Sequence, residues 1–403
     1  MKFLSPLEGV LLAASLLLVL TSCGTRGLRG SEGSAPLPPR LSLVEVARLI
    51  PPHVKEREGW GQEVLSALEA RQVHPSAEPV CEVLAVIEQE SGFQANPVVK
   101  ELPRIVRKRL EAYAGKLGVV GRKALEALLH HRAPGQSQSF EARLKAVRTE
   151  RDLDRLFREL LQAYEQQYPA VYTAADLASE LFSLQSLEEL NPITTAGSMQ
   201  VSVRYAREQN DEDRPEAEVR EELYTRAGGV RYGTARLLGY EAAYAQPIYR
   251  FADYNVGLYS SRNAALQAQV SELTRLPLAL DGDLLLYDAE GEPRNEDSRT
   301  LTALLAFRAR HAPEVSERQV RRDVRKEKQR DFEETETWHA VKKAYERVAG
   351  KRPEYAQLPA VTLRSPKLSR ELTTAWFARS VDQRFQRCMA RHGAQAKERA
   401  ARK

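Results

Sequence analysis

Three short segments carry residue types suited to acid–base chemistry on a polar substrate: Glu90-Ser91-Gly92-Phe93, Gly197-Ser198-Met199-Gln200 and Asp253-Tyr254-Asn255-Val256-Gly257. Val83, Val86, Ile87 and Glu90 recur at i, i+3, i+4 and i+7, so an apolar helix face ends in a carboxyl. Partial desolvation disfavours a charged carboxylate and raises its pKa. A proton then stays available for a leaving oxygen, which is the job of a general acid. Glu88 points to another side of the same helix. Ser91 is placed to hydrogen-bond beside Glu90, and Phe93 reads as core.

The other two segments supply binding groups. Met199 offers an adaptable apolar surface, and Gln200 offers both a donor and an acceptor. Tyr254 can stack on a ring or hydrogen-bond near the carboxyl, and Asn255 can orient an amide or hold its loop. Gly257 suits a backbone role. Asp253 has two readings. As a second carboxylate it would permit the ordinary two-acid hydrolysis schemes; otherwise it caps a local helix.

In this order, the segments resemble the signature motifs of soluble lytic transglycosylases and goose-type lysozymes: Glu-Ser-x-Phe, Gly-Leu-Met-Gln and Ala-Tyr-Asn-x-Gly. Ala227-Gly228-Gly229-Val230-Arg231-Tyr232-Gly233 is similar to the helix preceding the Tyr-Asn motif. The resemblance covers about half of the chain beyond Cys23, in patches. It implies a helical lysozyme-like domain with a cleft for peptidoglycan glycan strands, Glu90 as general acid and base, and Ser91, Met199, Gln200, Tyr254 and Asn255 on the substrate. Three departures stand out. Ser198 replaces the usual Leu. Asp253 replaces a small apolar residue. Between Phe93 and Gly197 lies a helix-prone insertion far longer than the family's spacing, which must leave and re-enter the fold near the cleft.

The same residues leave three activities open: a lyase that closes a 1,6-anhydro ring, a lysozyme-type hydrolase, and a non-catalytic peptidoglycan-binding lipoprotein that keeps the cleft as a clamp. No metal or cofactor is called for. His130 and His131 are adjacent, so they do not share a helix face, and no carboxylate cluster accompanies them. Neither a Gly-rich phosphate loop nor a Gly-x-Ser-x-Gly elbow is present.

The N-terminus sets the expected location. Lys2 precedes an uncharged, apolar or small run from Val10 to Leu20, too short to span a bilayer and suited to a signal peptide. Leu20-Thr21-Ser22-Cys23 resembles a lipobox, which implies cleavage before Cys23 and its lipidation. Gly24 in place of Asp favours the outer membrane, facing the periplasm. The Gly-, Ser- and Pro-rich stretch after Cys23 reads as a tether with a reach of roughly 20–25 Å. The chain of 403 residues is 42% hydrophobic and 29% charged, with a net charge of +5. That balance suits an anionic envelope surface rather than nucleic acid. Cys81 and Cys388 are the remaining cysteines; two alone carry no spacing signature, so they pair or stay separate thiols.

The elements needed to hold these residues read as mainly α. Ser42-Leu43-Val44-Glu45 has capping-box form, Pro51-Pro52 ends its helix, and a helix from about Pro79 delivers Glu90. Helical stretches are expected from Ala227 to Tyr240 and from Tyr249 to Gln269. One hairpin is expected at Leu278–Leu280 and Leu284–Tyr287 around Asp281-Gly282, with a second turn at 289–292. The tail from Ala394 reads as frayed. The resulting layout is a signal peptide (1–22), a lipidated Cys and tether (23–42), a lysozyme-like domain in two parts (43–96 and 191–275) around a helical insertion (97–190), and a hairpin with a basic helical extension (276–403). The insertion and the basic helices are candidate surfaces for envelope protein partners.

Overall fold

The computed structural model describes residues 37–401, except 100, 117, 134, 168–190, 192, 211–212, 289–290 and 364–370. The signal segment, Cys23 and the tether through Pro36 lie outside the described residues.

The fold is mainly α-helical. Helices α1 (Leu43–Leu49), α2 (Arg57–Ala70) and α3 (Ala77–Glu90) come first. Ser42 and Glu45 form the expected reciprocal capping box at the start of α1. Val83, Val86 and Ile87 are fully buried, so the apolar face of α3 runs through the core up to Glu90. The intervening segment forms α4 (Leu102–Lys116), α5 (Gly118–His130), α6 (Phe140–Ala146) and α7 (Glu150–Gln167). Its first three helices are an excursion that closes on itself. Val98 bridges Thr149 in antiparallel fashion, and the Val99 amide donates to the Arg148 carbonyl at 3.0 Å.

Strands β1 (Thr195–Ala196) and β2 (Val201–Ser202) pair antiparallel, with Ala196 opposite Val201. The loop between them is Gly197–Gln200, so this motif occupies a hairpin turn rather than a helix end. Then come α8 (Val203–Glu208), α9 (Glu216–Leu223), α10 (Arg226–Leu238) and α11 (Ile248–Val256). The expected continuous helix from Tyr249 is broken at Gly257, whose φ of 154° lies outside helical space, and α12 (Ser260–Thr274) starts afresh. After α13 (Arg299–His311) and α14 (Glu317–Val324) come a 3-10 turn (Arg330–Glu334), α15 (Glu336–Ala349), a second strand pair β3 (Thr362–Leu363) and β4 (Leu372–Thr373), and α16 (Thr374–Ala401).

Two apolar clusters organise these elements. The larger gathers α1–α3, the intervening helices, α8–α11 and α16. The smaller is built from α12–α15, with Phe332 and Trp338 at its centre. The C-terminal region is therefore divided. Its middle makes its own core, while α16 returns to pack on α3 and α11. Cys388 of α16 is disulfide-bonded to Cys81 of α3. The helix runs on to Ala401, without fraying at Ala394.

The expected hairpin at 278–287 does not form. Its backbone amides are met by buried side chains instead of a ladder. The Gly282 amide donates to Gln267 at 2.9 Å, and the Leu284 and Leu285 amides donate to the Glu327 carboxylate. Burial pushes the Glu327 carboxyl up to about 7, against the pull of Tyr287 and these amides. Around the second expected turn Tyr287 bridges Pro293, while residues 289 and 290 of the turn lie outside the described residues. Among the described residues, no helix is long and apolar enough to cross a membrane.

Candidate active site

Glu90 is the last residue of α3 and is half-buried. Ser91 braces the backbone on both sides of itself. Its hydroxyl donates to the Ile87 carbonyl at 3.1 Å and accepts the Gln94 amide at 3.2 Å, so it closes the helix end and folds the next turn. Phe93 is buried at φ 63°, its ring edge-on to Trp60 with centroids 5.6 Å apart. Glu88 faces away, toward Arg384 and Arg387 of α16.

The second and third segments meet through Tyr254. Its hydroxyl donates to the Met199 carbonyl at 2.7 Å. Burial first, and then the nearby charge of Glu90, raise that hydroxyl well above its ordinary pKa. The third segment thus touches the second and lies within electrostatic reach of the first. Met199 is fully buried and seats on α10, where a Cβ at Gly233 would stand 2.2 Å from its sulfur. Ser198 is fully buried against Gly229 in the same way. The glycines at 229 and 233 lie one turn apart and let the hairpin loop settle on the helix. The Ser198 hydroxyl is buried there with no hydrogen-bond partner among the described residues.

Gln200 adopts φ 50° and is held by its neighbours. Its amide donates to the Glu150 carboxylate at 3.0 Å, and its carbonyl oxygen accepts from the Thr195 hydroxyl at 3.1 Å. Glu150 is 1% exposed and opens α7. The long segment between the motifs therefore re-enters against the site and contributes a residue to it. Asp154, one turn further on, is buried with Arg220 at 3.0 Å and Asn191 at 2.7 Å, which ties α7 to α9. Asn255 is half-buried and accepts from the Thr374 hydroxyl at the start of α16, at 3.3 Å.

Of the two readings of Asp253, a second acid or a helix-capping carboxylate, the geometry matches the second. Asp253 is fully buried. One oxygen accepts the Ser261 amide at 2.7 Å, in the first turn of α12, and the other accepts the hydroxyls of Tyr240, at 3.0 Å, and Tyr244. Burial raises its pKa, opposed by these hydrogen bonds. Both oxygens are consumed by the fold, so Asp253 is the helix-capping carboxylate and has no face for activating water.

Two further residues belong to the site. Arg236 of α10 lies 5.4 Å from the Tyr205 ring, and both exert charge effects on Tyr254. Arg236 falls on the same face of α10 as Gly229 and Gly233, which is a signal the sequence carries. Tyr205 has no comparable signal beyond following Gln200 closely. His130 and His131 lie away from these residues, on and beyond the end of α5, with His131 stacked on Phe140. Among the described residues, no group of three or more His, Cys, Asp or Glu side chains is arranged to hold a metal.

The chain belongs to the protein family described as DUF1615, protein of unknown function, whose model matches residues 53–391. That span includes all three segments and Cys388. It is also 36% identical over 397 residues to the Escherichia coli K12 protein named Uncharacterized protein YaiW, which covers 96% of this chain and all of that protein. No solved structure matches the chain.

Proposed function

We propose that this chain is a lipid-anchored enzyme of the cell envelope that cleaves peptidoglycan glycan strands as a lytic transglycosylase. The observation that supports the reading is that Tyr254 is bonded to the Met199 carbonyl and feels the charge of Glu90. In this reading Glu90 protonates the oxygen linking N-acetylmuramic acid to N-acetylglucosamine. The acetamido group of the muramic residue stabilises the developing cation, because Asp253 is buried and has no face toward a substrate. Glu90, now ionised, takes the proton of the muramic 6-hydroxyl, whose oxygen closes the 1,6-anhydro ring. Cys23 carries the lipid and keeps the domain on the periplasmic face of the outer membrane, close to the glycan layer.

Mass spectrometry of fragments released from purified sacculi tests the reading. Anhydro ends are expected. Reducing ends would instead assign a hydrolase using water. Binding to sacculi without any released fragment would assign a glycan clamp. One observation favours that last alternative: the Gln200 amide is already engaged by Glu150.

A further inference from the structure

A cavity of about 390 Å³ is lined in part by the turn after Glu90. Gly92, Phe93 and Gln94 form one wall, Lys55 and Glu56 another, and Arg226 closes it. Its floor is the edge-to-face pair of Trp60 and Phe93. Three of the lining residues, Glu56, Gly92 and Phe93, have φ between 53° and 63°. Two of these are not glycine, so the fold holds costly backbone conformations on both sides of the cavity.

Arg226 is the central group. It occupies the first position of α10, where the unpaired amides of a helix start also favour an anion. Its guanidinium lies over Gly59, where a Cβ would stand 2.7 Å from Cζ, so only glycine lets it lie flat there. It also sits 5.6 Å from the Trp60 ring. Nη1 donates to Glu56 at 2.7 Å, whereas Nε is buried and makes no hydrogen bond among the described residues. Glu56 itself is 74% exposed, so this ion pair is weakly held and exchangeable. A guanidinium positioned against the cavity, whose Nη1 is met only by a solvated internal carboxylate, is the arrangement of an occupied carboxylate site.

We propose that this cavity receives a carboxylate of an acidic peptide, with Glu56 as the internal occupant that the ligand displaces. Resting on the glycan-cleavage reading, the ligand is the acidic peptide stem of the muramic residue. That stem leaves the sugar beside the bond Glu90 would protonate, and the cavity begins two residues past Glu90. Arg226 supplies the Nη1 donor that Glu56 gives up, Lys55 adds charge, and the Trp60–Phe93 pair takes the apolar part of the peptide.

Titration calorimetry on the full-length protein tests this with two sugar-free probes, N-acetyl-L-alanyl-D-glutamate and its fully amidated form. Wild type is expected to bind the acid at least about tenfold more tightly than the amide. Arg226→Met, which keeps the apolar stem over Trp60, removes that preference. Glu56→Gln tightens the acid by roughly threefold to tenfold, by removing the competitor. Equal binding of acid and amide by wild type overturns the proposal, as does an acid preference that survives in Arg226→Met. Should Arg226→Met melt early, Glu56→Gln decides alone, and a variant with unchanged or weaker acid binding overturns it. Arg226-dependent peptide binding by a protein that releases nothing from sacculi keeps the cavity and removes the cleavage reading; release from sacculi without acid preference does the reverse.

Discussion

The Tyr254 hydroxyl and the Met199 carbonyl are 2.7 Å apart and 55 residues apart in sequence. One buried hydrogen bond therefore fixes the α11 segment to the β1–β2 loop. Tyr254→Phe removes the donor and leaves a buried carbonyl without it. A loss of about 1–3 kcal/mol in urea denaturation is expected. An unchanged midpoint would mean that the two segments are held by packing alone.

The Cys81–Cys388 bond joins residues 307 apart, from the helix that carries Glu90 to the last helix of the chain. Such a link removes much loop-closure entropy from the unfolded chain, and its loss typically costs about 2–4 kcal/mol. Reduction, or the double substitution Cys81→Ser with Cys388→Ser, is expected to lower the melting temperature by several degrees. Thiol titration of the denatured, unreduced protein should find neither cysteine free. Two titratable thiols from 81 and 388 would contradict the arrangement.

Glu82 lies in the core two turns before Glu90, with one oxygen making no hydrogen bond among the described residues. Burial raises its carboxyl from 4.5 to about 7; Arg250 opposes the rise and Glu78 adds to it. The folded chain therefore holds this proton where the unfolded chain has lost it. Its stability contribution is full below pH 4.5 and falls away as pH rises to about 7, by about 3 kcal/mol in all. Glu82→Gln is expected to be more stable than wild type at pH 8 and close to it near the ordinary carboxylate pKa, by denaturant midpoints. An advantage that does not grow with pH would contradict the assignment.

Gly197 opens the loop that presents Met199 and Gln200, at φ 80°. A Cβ there would stand 2.1 Å from the Leu223 carbonyl oxygen. The obstacle is backbone on both sides, so nothing flexible gives way. Gly197→Ala is expected to cost well over about 1 kcal/mol, with loss of soluble protein or a large fall in melting temperature. A variant as stable as wild type would show that the loop is not seated on α9 as described.

Several parts of this arrangement were legible in the sequence. The α3 face was readable because Val83, Val86 and Ile87 repeat at helical spacing, and Ser42 with Glu45 announced a cap that the structure contains. The hairpin around Asp281-Gly282 misled for a physical reason. Turn-forming residues between apolar runs do suggest a ladder, but the amides here are claimed by Glu327 and Gln267, which lie far away or on another element. Asp253 was ambiguous because local sequence does not reveal that Tyr240, Tyr244 and Ser261 surround it. Glu150 was invisible as a site residue, since its partner Gln200 is 50 residues away. Long-range pairings of this kind carry no periodicity.

The central claim is that Glu90 transfers the proton in glycan cleavage, and one comparison addresses it directly. Purified sacculi are incubated with wild type and with Glu90→Gln, and the soluble products are separated and weighed by mass spectrometry. Glutamine keeps the shape of a half-buried helix-terminal side chain and removes its acidity, so folding is expected to survive. Anhydro-ended muropeptides are expected from wild type and at least about a hundredfold fewer from the variant, the lower range for loss of a general acid. Equal release by both proteins, or none by wild type, would contradict the claim.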